Sequence, residues 1–151
     1  MRVLRPHTIY LLKADLNIDK LIIYTDGAAR GNPGPAAIGA VLKDTANKTI
    51  ATISRRLAPT TNNQAEYLAI ISGLEKAVSL GAKNIIVKSD SELAVKQIKG
   101  QFKIKNTALR PLYQQVVQLT GKLESFSISY IPREQNRQAD DLANKALDKP
   151  Q

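Results

Sequence analysis

The chain has 151 residues, 22 Lys plus Arg against 13 Asp plus Glu, a formal charge of +9 and no cysteine. That length favours one domain, and 43% apolar residues suffice for a core, which argues against wholesale disorder. The missing cysteines exclude a disulfide framework, a thiolate zinc site and a Cys nucleophile. No apolar run approaches the ~18 residues of a membrane span, and Lys13, Asp15 and Asp19 break up the apolar stretch Ile9–Leu12 that a secretory signal would need. The expectation is a cytoplasmic, basic protein with no membrane association. Its surplus charge points to a polyanion, nucleic acid first, with simple solubility as the competing explanation.

Residues 1–19 carry the weakest pattern. Thr8–Leu12 has strand character, but Arg5-Pro6 and Asn17 interrupt it, and His7, the lone histidine, lies here. We read 1–19 as an N-terminal arm and 20–148 as one domain. Leu21-Ile22-Ile23-Tyr24-Thr25 is a β-rich run that ends at the turn-like pair Asp26-Gly27. After the turn cluster Gly31–Pro35, Ala36–Lys43 and Lys48–Leu57 form a hairpin about Asp44–Asn47. A helix follows from about Asn63 to Leu80, with Tyr67, Ile70, Ile71, Leu74 and Val78 at helical spacing and Gly81 placed to end it. Tyr24 and Tyr67 are assigned to the core. Asn84–Ser89 is a short strand, Ser91–Lys99 a short helix and Gln101–Thr107 a basic connection. Leu109–Thr120 is a helix, Ser125–Ile131 a strand and Asn136–Leu147 the last helix. This order predicts an α/β sheet with an antiparallel hairpin at one side and the later strands parallel to the first.

Four acids occupy positions of interest. Asp26 directly follows an apolar strand, where α/β folds place ligand groups, although one such site alone reads more simply as a turn. Asp90 repeats the situation after Ile85-Ile86-Val87-Lys88-Ser89; its simpler reading is a helix start, with Ser89 and Glu92 at capping-box spacing. If the two strands are parallel neighbours, Asp26 and Asp90 emerge side by side. Glu66 lies in the first turn of the long helix, where Asn63 and Glu66 also have capping-box spacing. It shares a row with Ala69, Ile70 and Gly73, which suits close packing on a sheet. Asp140 borders the apolar stripe of Leu142, Ala143, Ala146 and Leu147, while Asp141 points about 100° away. A protein of net charge +9 that gathers carboxylates in one corner needs a cation to offset their repulsion. All-oxygen ligands select hard cations, Mg²⁺ first and Mn²⁺ second. An acidic metal pocket within a basic surface suits phosphodiester cleavage.

The segments Asp26-Gly27-Ala28-Ala29-Arg30-Gly31-Asn32-Pro33-Gly34, Thr61-Asn62-Asn63-Gln64-Ala65-Glu66, Ser89-Asp90-Ser91 and Asn136-Arg137-Gln138-Ala139-Asp140-Asp141-Leu142-Ala143 together resemble type 1 ribonuclease H, over roughly Leu21 to Leu147. Any one segment is weak; four in order, each on its predicted element, are specific. The resemblance implies a ribonuclease H-like five-stranded mixed sheet, three antiparallel strands then two parallel, flanked by helices. It implies endonucleolytic cleavage of the RNA strand of RNA–DNA hybrids, leaving 5′-phosphate and 3′-hydroxyl ends. It makes Asp26, Glu66, Asp90 and Asp140 ligands of two Mg²⁺ ions, with Mn²⁺ as substitute and Asp26 bridging. It places Asn32, Asn62 and Asn63 at the hybrid's minor groove, where amides read ribose 2′-hydroxyls, and Thr61 at a DNA phosphate. Gly27, Ser91, Lys103 and Lys105 join the implied nucleic-acid contacts. For Asn32 a turn role, and for Thr61, Asn62 or Asn63 a helix-cap role, holds equally well beside these.

Three departures stand out. Many family members carry a mobile His before the last helix; Tyr130–Asn136 contains none, and Arg133 stands at about that position, able to hold a phosphate or water but not to act as a base. The basic handle some members insert is replaced by the short segment Gly100–Thr107, with Lys99, Lys103 and Lys105 as partial substitutes. Residues 1–19 are too short and too poor in aromatic residues for a hybrid-binding domain, which implies modest affinity. The expected partner is a hybrid, with a monomer and no obligate protein partner. Double-stranded RNA stays open as a further substrate. A DNA strand-transfer enzyme is disfavoured by the Thr61–Asn63 groove, and a silent binding module by the presence of all four acids. A place within a larger polymerase-associated protein is the remaining alternative.

Overall fold

The structure is a computed structural model that describes residues 18–149. The N-terminal arm, with the strand-like Thr8–Leu12 and His7, lies outside these residues except for Ile18 and Asp19. Strand β1 spans Lys20–Ala29, β2 Gly34–Lys43 and β3 Thr49–Thr60; helix α1 spans Asn62–Ser79, β4 Asn84–Ser89, α2 Glu92–Ile98, α3 Arg110–Thr120 and β5 Ser125–Tyr130. A single 3-10 turn at Arg133–Gln135 leads into α4, Arg137–Asp148. The sheet has five strands in the order β3-β2-β1-β4-β5. β1 is antiparallel to β2, β2 to β3, and β4 lies parallel to both β1 and β5. This is the mixed sheet the element order predicts.

The residue patterns explain the layers. Ala36 to Leu42 of β2 are buried without interruption, because α1 covers one face of this strand and α4 the other. On the α1 face, Leu21 and Ile23 of β1, Leu42 of β2, Tyr67, Ile70 and Leu74 of α1, Ile85 and Val87 of β4, Leu109 just before α3 and Val116 within it form one apolar core. The α4 face is thinner, with Ala37, Ala146 and Leu147 packed around Ala28. α4 approaches so closely that a Cβ on Gly39 would overlap the Ala139 carbonyl. Gly73 lies against Ile23 in the same way, as the small-residue row on α1 predicts. None of the described helices is long and apolar enough to cross a membrane.

Two expectations are corrected. β1 does not end in a turn at Asp26-Gly27: it continues to Ala29, because the first half of β2 supplies partners, Gly39 to Asp26 and Ile38 to Gly27. Tyr67 is fully buried, its hydroxyl donating to Gln97 Oε1 at 2.7 Å, but Tyr24 is only half-buried. Tyr24 faces the start of α4, with the Lys43 and Lys88 ammonium groups 5.7 and 5.8 Å from its ring centre.

Candidate active site

Pairing between β1 and β4 ends at Thr25 and Ser89, so Asp26 and Asp90 are matched residues just past the carboxyl edge of two parallel neighbours. Asp26 stays in the sheet through β2 alone. Glu66 reaches them from α1, which can come close because Gly27 has no side chain: a Cβ there would overlap the Ala65 backbone. The Gly27 N–H donates to Glu66 Oε1. One carboxylate oxygen from each of Asp26, Glu66 and Asp90 lies within 4.8 Å of the others. Asp140, on the first turn of α4, lines the same cavity of about 290 Å³ and comes within hydrogen-bonding reach of Asp26, though it does not join all three acids at once; its side chain is 23% exposed.

Asp26 and Glu66 are almost completely removed from water, at 7% and 5% exposure. Burial pushes the Asp26 carboxyl well above its ordinary range, and the neighbouring charges of Glu66 and Asp90 push it further. Burial also raises Glu66, against the Gly27 N–H, which favours its charged form. Such acids are held either by protons or by a cation. An all-carboxylate donor set with two desolvated members fits a hard divalent ion, whose charge would remove the mutual repulsion.

Helix capping is handled by residues other than the acids. Thr61 caps α1 by accepting from the Gln64 N–H, and the Gln64 side chain accepts from the Thr61 N–H in return. The Asn63–Glu66 box is therefore unused. Ser91 caps α2 through the Ala94 N–H while Ser89 Oγ accepts from the Ser91 N–H, and Glu92 pairs instead with Lys96. Glu66 and Asp90 are left to the cavity.

The remaining predicted residues divide into two groups. Gly27, Asn62, Ser91 and Arg133 line the cavity with the acids. Asn32 lies at its approach, where Asn32 Oδ1 accepts from the Asn62 N–H at 3.1 Å and docks the Gly31–Gly34 turn on the start of α1; Asn63 is exposed beside them. Arg133 reaches from the 3-10 turn, its Nη2 3.8 Å from Asp140 Oδ1. Lys103 and Lys105 are exposed but are not part of the cavity. They lie in the connection after α2 near Phe102, whose ring carries Lys96 Nζ at 4.9 Å.

Three residues at the site had no role in the sequence reading. Asn136 is buried, and its Nδ2 donates to the Thr25 carbonyl at 2.9 Å, one residue before Asp26. Its N–H donates to the Arg133 carbonyl and its own carbonyl accepts from the Asp140 N–H. It thus joins β1, the Arg133 turn and α4. Asn144 and Tyr130 line the cavity. The available signal for Asn144 was its place one helical turn after Asp140; for Tyr130, its place at the carboxyl end of β5.

Residues 24–146 match a family described as reverse transcriptase-like. Ribonuclease HI of Halobacterium salinarum is 42% identical over 125 residues, covering 83% of this chain and 63% of that protein. The chain belongs to the ribonuclease H family. The crystal structure of RNase H1 from Halobacterium salinarum superposes with a TM-score of 0.84 at 40% identity, covering 85% of this chain and 98% of that one. The N-terminal RNase H domain of Rv2228c from Mycobacterium tuberculosis, solved as a maltose-binding-protein fusion, gives 0.83 at 41% identity, over 85% and 99% of the two chains. LC11-RNase H1, isolated from compost, gives 0.81 at 41% identity, over 85% and 96%, and was solved in complex with RNA/DNA hybrid. The chain spans 36% of the bifunctional mycobacterial protein Rv2228c. The five-stranded order described above is the ribonuclease H arrangement.

Proposed function

We propose that this chain is a divalent-metal-dependent endoribonuclease that hydrolyses the RNA strand of RNA–DNA hybrids, leaving 5′-phosphate and 3′-hydroxyl ends. The observation that carries this reading is the meeting of Asp26, Glu66 and Asp90 oxygens within 4.8 Å in a chain of charge +9. The similar LC11-RNase H1, solved with a hybrid, supports the substrate class.

Asp26, Glu66, Asp90 and Asp140 would hold two Mg²⁺ ions, or Mn²⁺ in their place. Bound there, the ions supply an activated water and charge stabilisation at the departing 3′ oxygen. The chain's other groups hold the substrate. The exposed amides of Asn32, Asn62 and Asn63 present donors and acceptors to ribose 2′-hydroxyls, the group that separates RNA from DNA. Thr61, at the start of α1, would meet a DNA phosphate, and Ser91, in the cavity lining, would meet the nucleic-acid backbone. Arg133 offers an exposed guanidinium to a phosphate or water and moves no proton. Lys103 and Lys105, with Lys99, present charge to the backbone of the second strand. No obligate protein partner is needed for this chemistry, so we take the chain as a monomer. A cysteine-free sequence suits the reducing cytoplasm.

The test is incubation of end-labelled hybrid, duplex RNA and duplex DNA with Mg²⁺, Mn²⁺ or chelator. Cleavage of the RNA strand of the hybrid is expected with either ion and none with chelator; the duplex RNA lane reports whether that substrate is also cut. Asp26→Asn and Asp90→Asn should each lower the rate by more than about a thousandfold, in the range of losses from removing core catalytic groups. Either variant cutting at the wild-type rate with Mg²⁺ overturns the assignment.

A further inference from the structure

Of the four acids, Asp140 is the one carried by α4. Asp26 is set in β1, and Glu66 is buried and held by the Gly27 N–H, whereas Asp140 is partly exposed and reaches Asp26 from the opposite face of the sheet edge. Its carboxylate is nevertheless not free to rotate. Asn144, one turn later on α4, donates from Nδ2 to both the Asp140 carbonyl, at 3.1 Å, and Asp140 Oδ1, at 3.2 Å. Arg133 Nη2 approaches the same oxygen at 3.8 Å. Both contacts fall on Oδ1, which leaves Oδ2 as the oxygen available to an ion. Asn144 also lines the cavity, where a hydrophobic side chain in its place would leave Asp140 several rotamers.

We infer that Asn144 is a positioning residue for metal binding: it selects the Asp140 rotamer that leaves Oδ2 to serve as a ligand. The inference rests on the proposal that the four acids hold divalent ions. A carboxylate ligand whose second oxygen is hydrogen-bonded loses less freedom on binding its ion, and outer hydrogen bonds of this kind set affinity as well as geometry.

The test titrates Mg²⁺ into the substrate-free protein and follows the backbone amide shifts of Asp26, Asp90 and Asp140 by NMR, for wild type, Asn144→Ala, Asn144→Gln and Asp140→Ala. Alanine is a better helix former than asparagine, so Asn144→Ala should fold with an unchanged or higher melting temperature. It should bind Mg²⁺ about tenfold more weakly, the low end of losses for such outer contacts. Asn144→Gln keeps a donor amide and should recover most of that loss. In cleavage assays the Mg²⁺ concentration for half-maximal rate should rise by a similar factor while KM for the hybrid stays constant. If Asp140→Ala weakens Mg²⁺ binding and Asn144→Ala does not, this inference fails alone. If Asp140→Ala leaves Mg²⁺ binding untouched, Asp140 is not a ligand and this inference fails, while Asp26→Asn in the same titration reports separately on the metal-site proposal, which falls if that variant also binds as wild type.

Discussion

Asp26 and Glu66 occupy positions that a stability-driven sequence would fill with neutral residues, and the sign of the resulting pH dependence follows directly. Burial raises both carboxyls above their ordinary range, with the Glu66 and Asp90 charges adding to the effect at Asp26. Around neutral pH the unfolded chain has therefore released protons that the metal-free native state still favours keeping. Stability contributed by these groups is full below the ordinary carboxylate range and is lost as pH rises toward the raised values. Asp26→Asn removes the desolvated acid while keeping its shape. In chelator at pH 7.5 it should raise stability by on the order of 1–3 kcal/mol, or several degrees in Tm. Near pH 3 the gain should vanish, because Asp26 is then neutral in both states. Saturating Mg²⁺ should reverse the order, since only the wild type keeps the full charge set. Thermal melts across pH, with and without Mg²⁺, check all three arms. A less stable Asp26→Asn protein in chelator at pH 7.5 would show that burial of this acid is not costly.

At the level of elements, the site depends on four segments, β1, α1, β4 and α4, being brought to one place, and Asn136 ties β1 to α4. Its amide spans from the start of α4 to the Thr25 carbonyl, while its Oδ1 has no partner among the described residues. Asn136→Ala loses the donor but also removes an unpaired buried acceptor, so the net cost should be about 1–2 kcal/mol, smaller than for a fully satisfied buried amide. Denaturant unfolding gives this value directly, and a cost near zero would mean that the bond to Thr25 does not hold α4 in place. The role of Asn136 was not legible in the sequence, because a bond between residues 111 positions apart leaves no local pattern. The strands, by contrast, were readable from alternation and apolar runs. The turn reading of Asp26-Gly27 failed because local turn chemistry competes with a distant partner, and Ala36–Gly39 of β2 won that competition. The caps show the same limit. Three-residue spacings fit both Asn63–Glu66 and Thr61–Gln64, and the choice falls to Thr61 because Gly27 already engages Glu66. The acids themselves were legible: two at matched strand ends, one on a small-residue row, one beside an apolar stripe. Their spacing was not, and only folding shows Asp26, Glu66 and Asp90 forming the tight group that Asp140 meets through Asp26.

For the molecule as a whole, four carboxylates that repel a phosphate backbone sit within a chain that carries 22 Lys and Arg. Binding must come from basic groups away from the cavity, and the connection after α2 concentrates them. Lys103 and Lys105 are exposed there, and Phe102 stands 46% exposed between the lysine-bearing segments. If these lysines neutralise hybrid phosphates, they release counterions, and the double variant Lys103→Gln with Lys105→Gln should flatten the slope of log K against log salt by about 1–2. The catalytic rate at saturating hybrid should change little, because neither side chain lines the acidic cavity. Asp26→Asn should do the opposite: bind at least as tightly as wild type at low salt, with its slope unchanged, since it lowers repulsion without removing a phosphate contact. Fluorescence anisotropy with labelled hybrid in chelator, from about 50 to 200 mM salt, separates the two. An unchanged slope in the lysine variant would place the phosphate contacts on other basic groups and remove the connection after α2 from the binding surface.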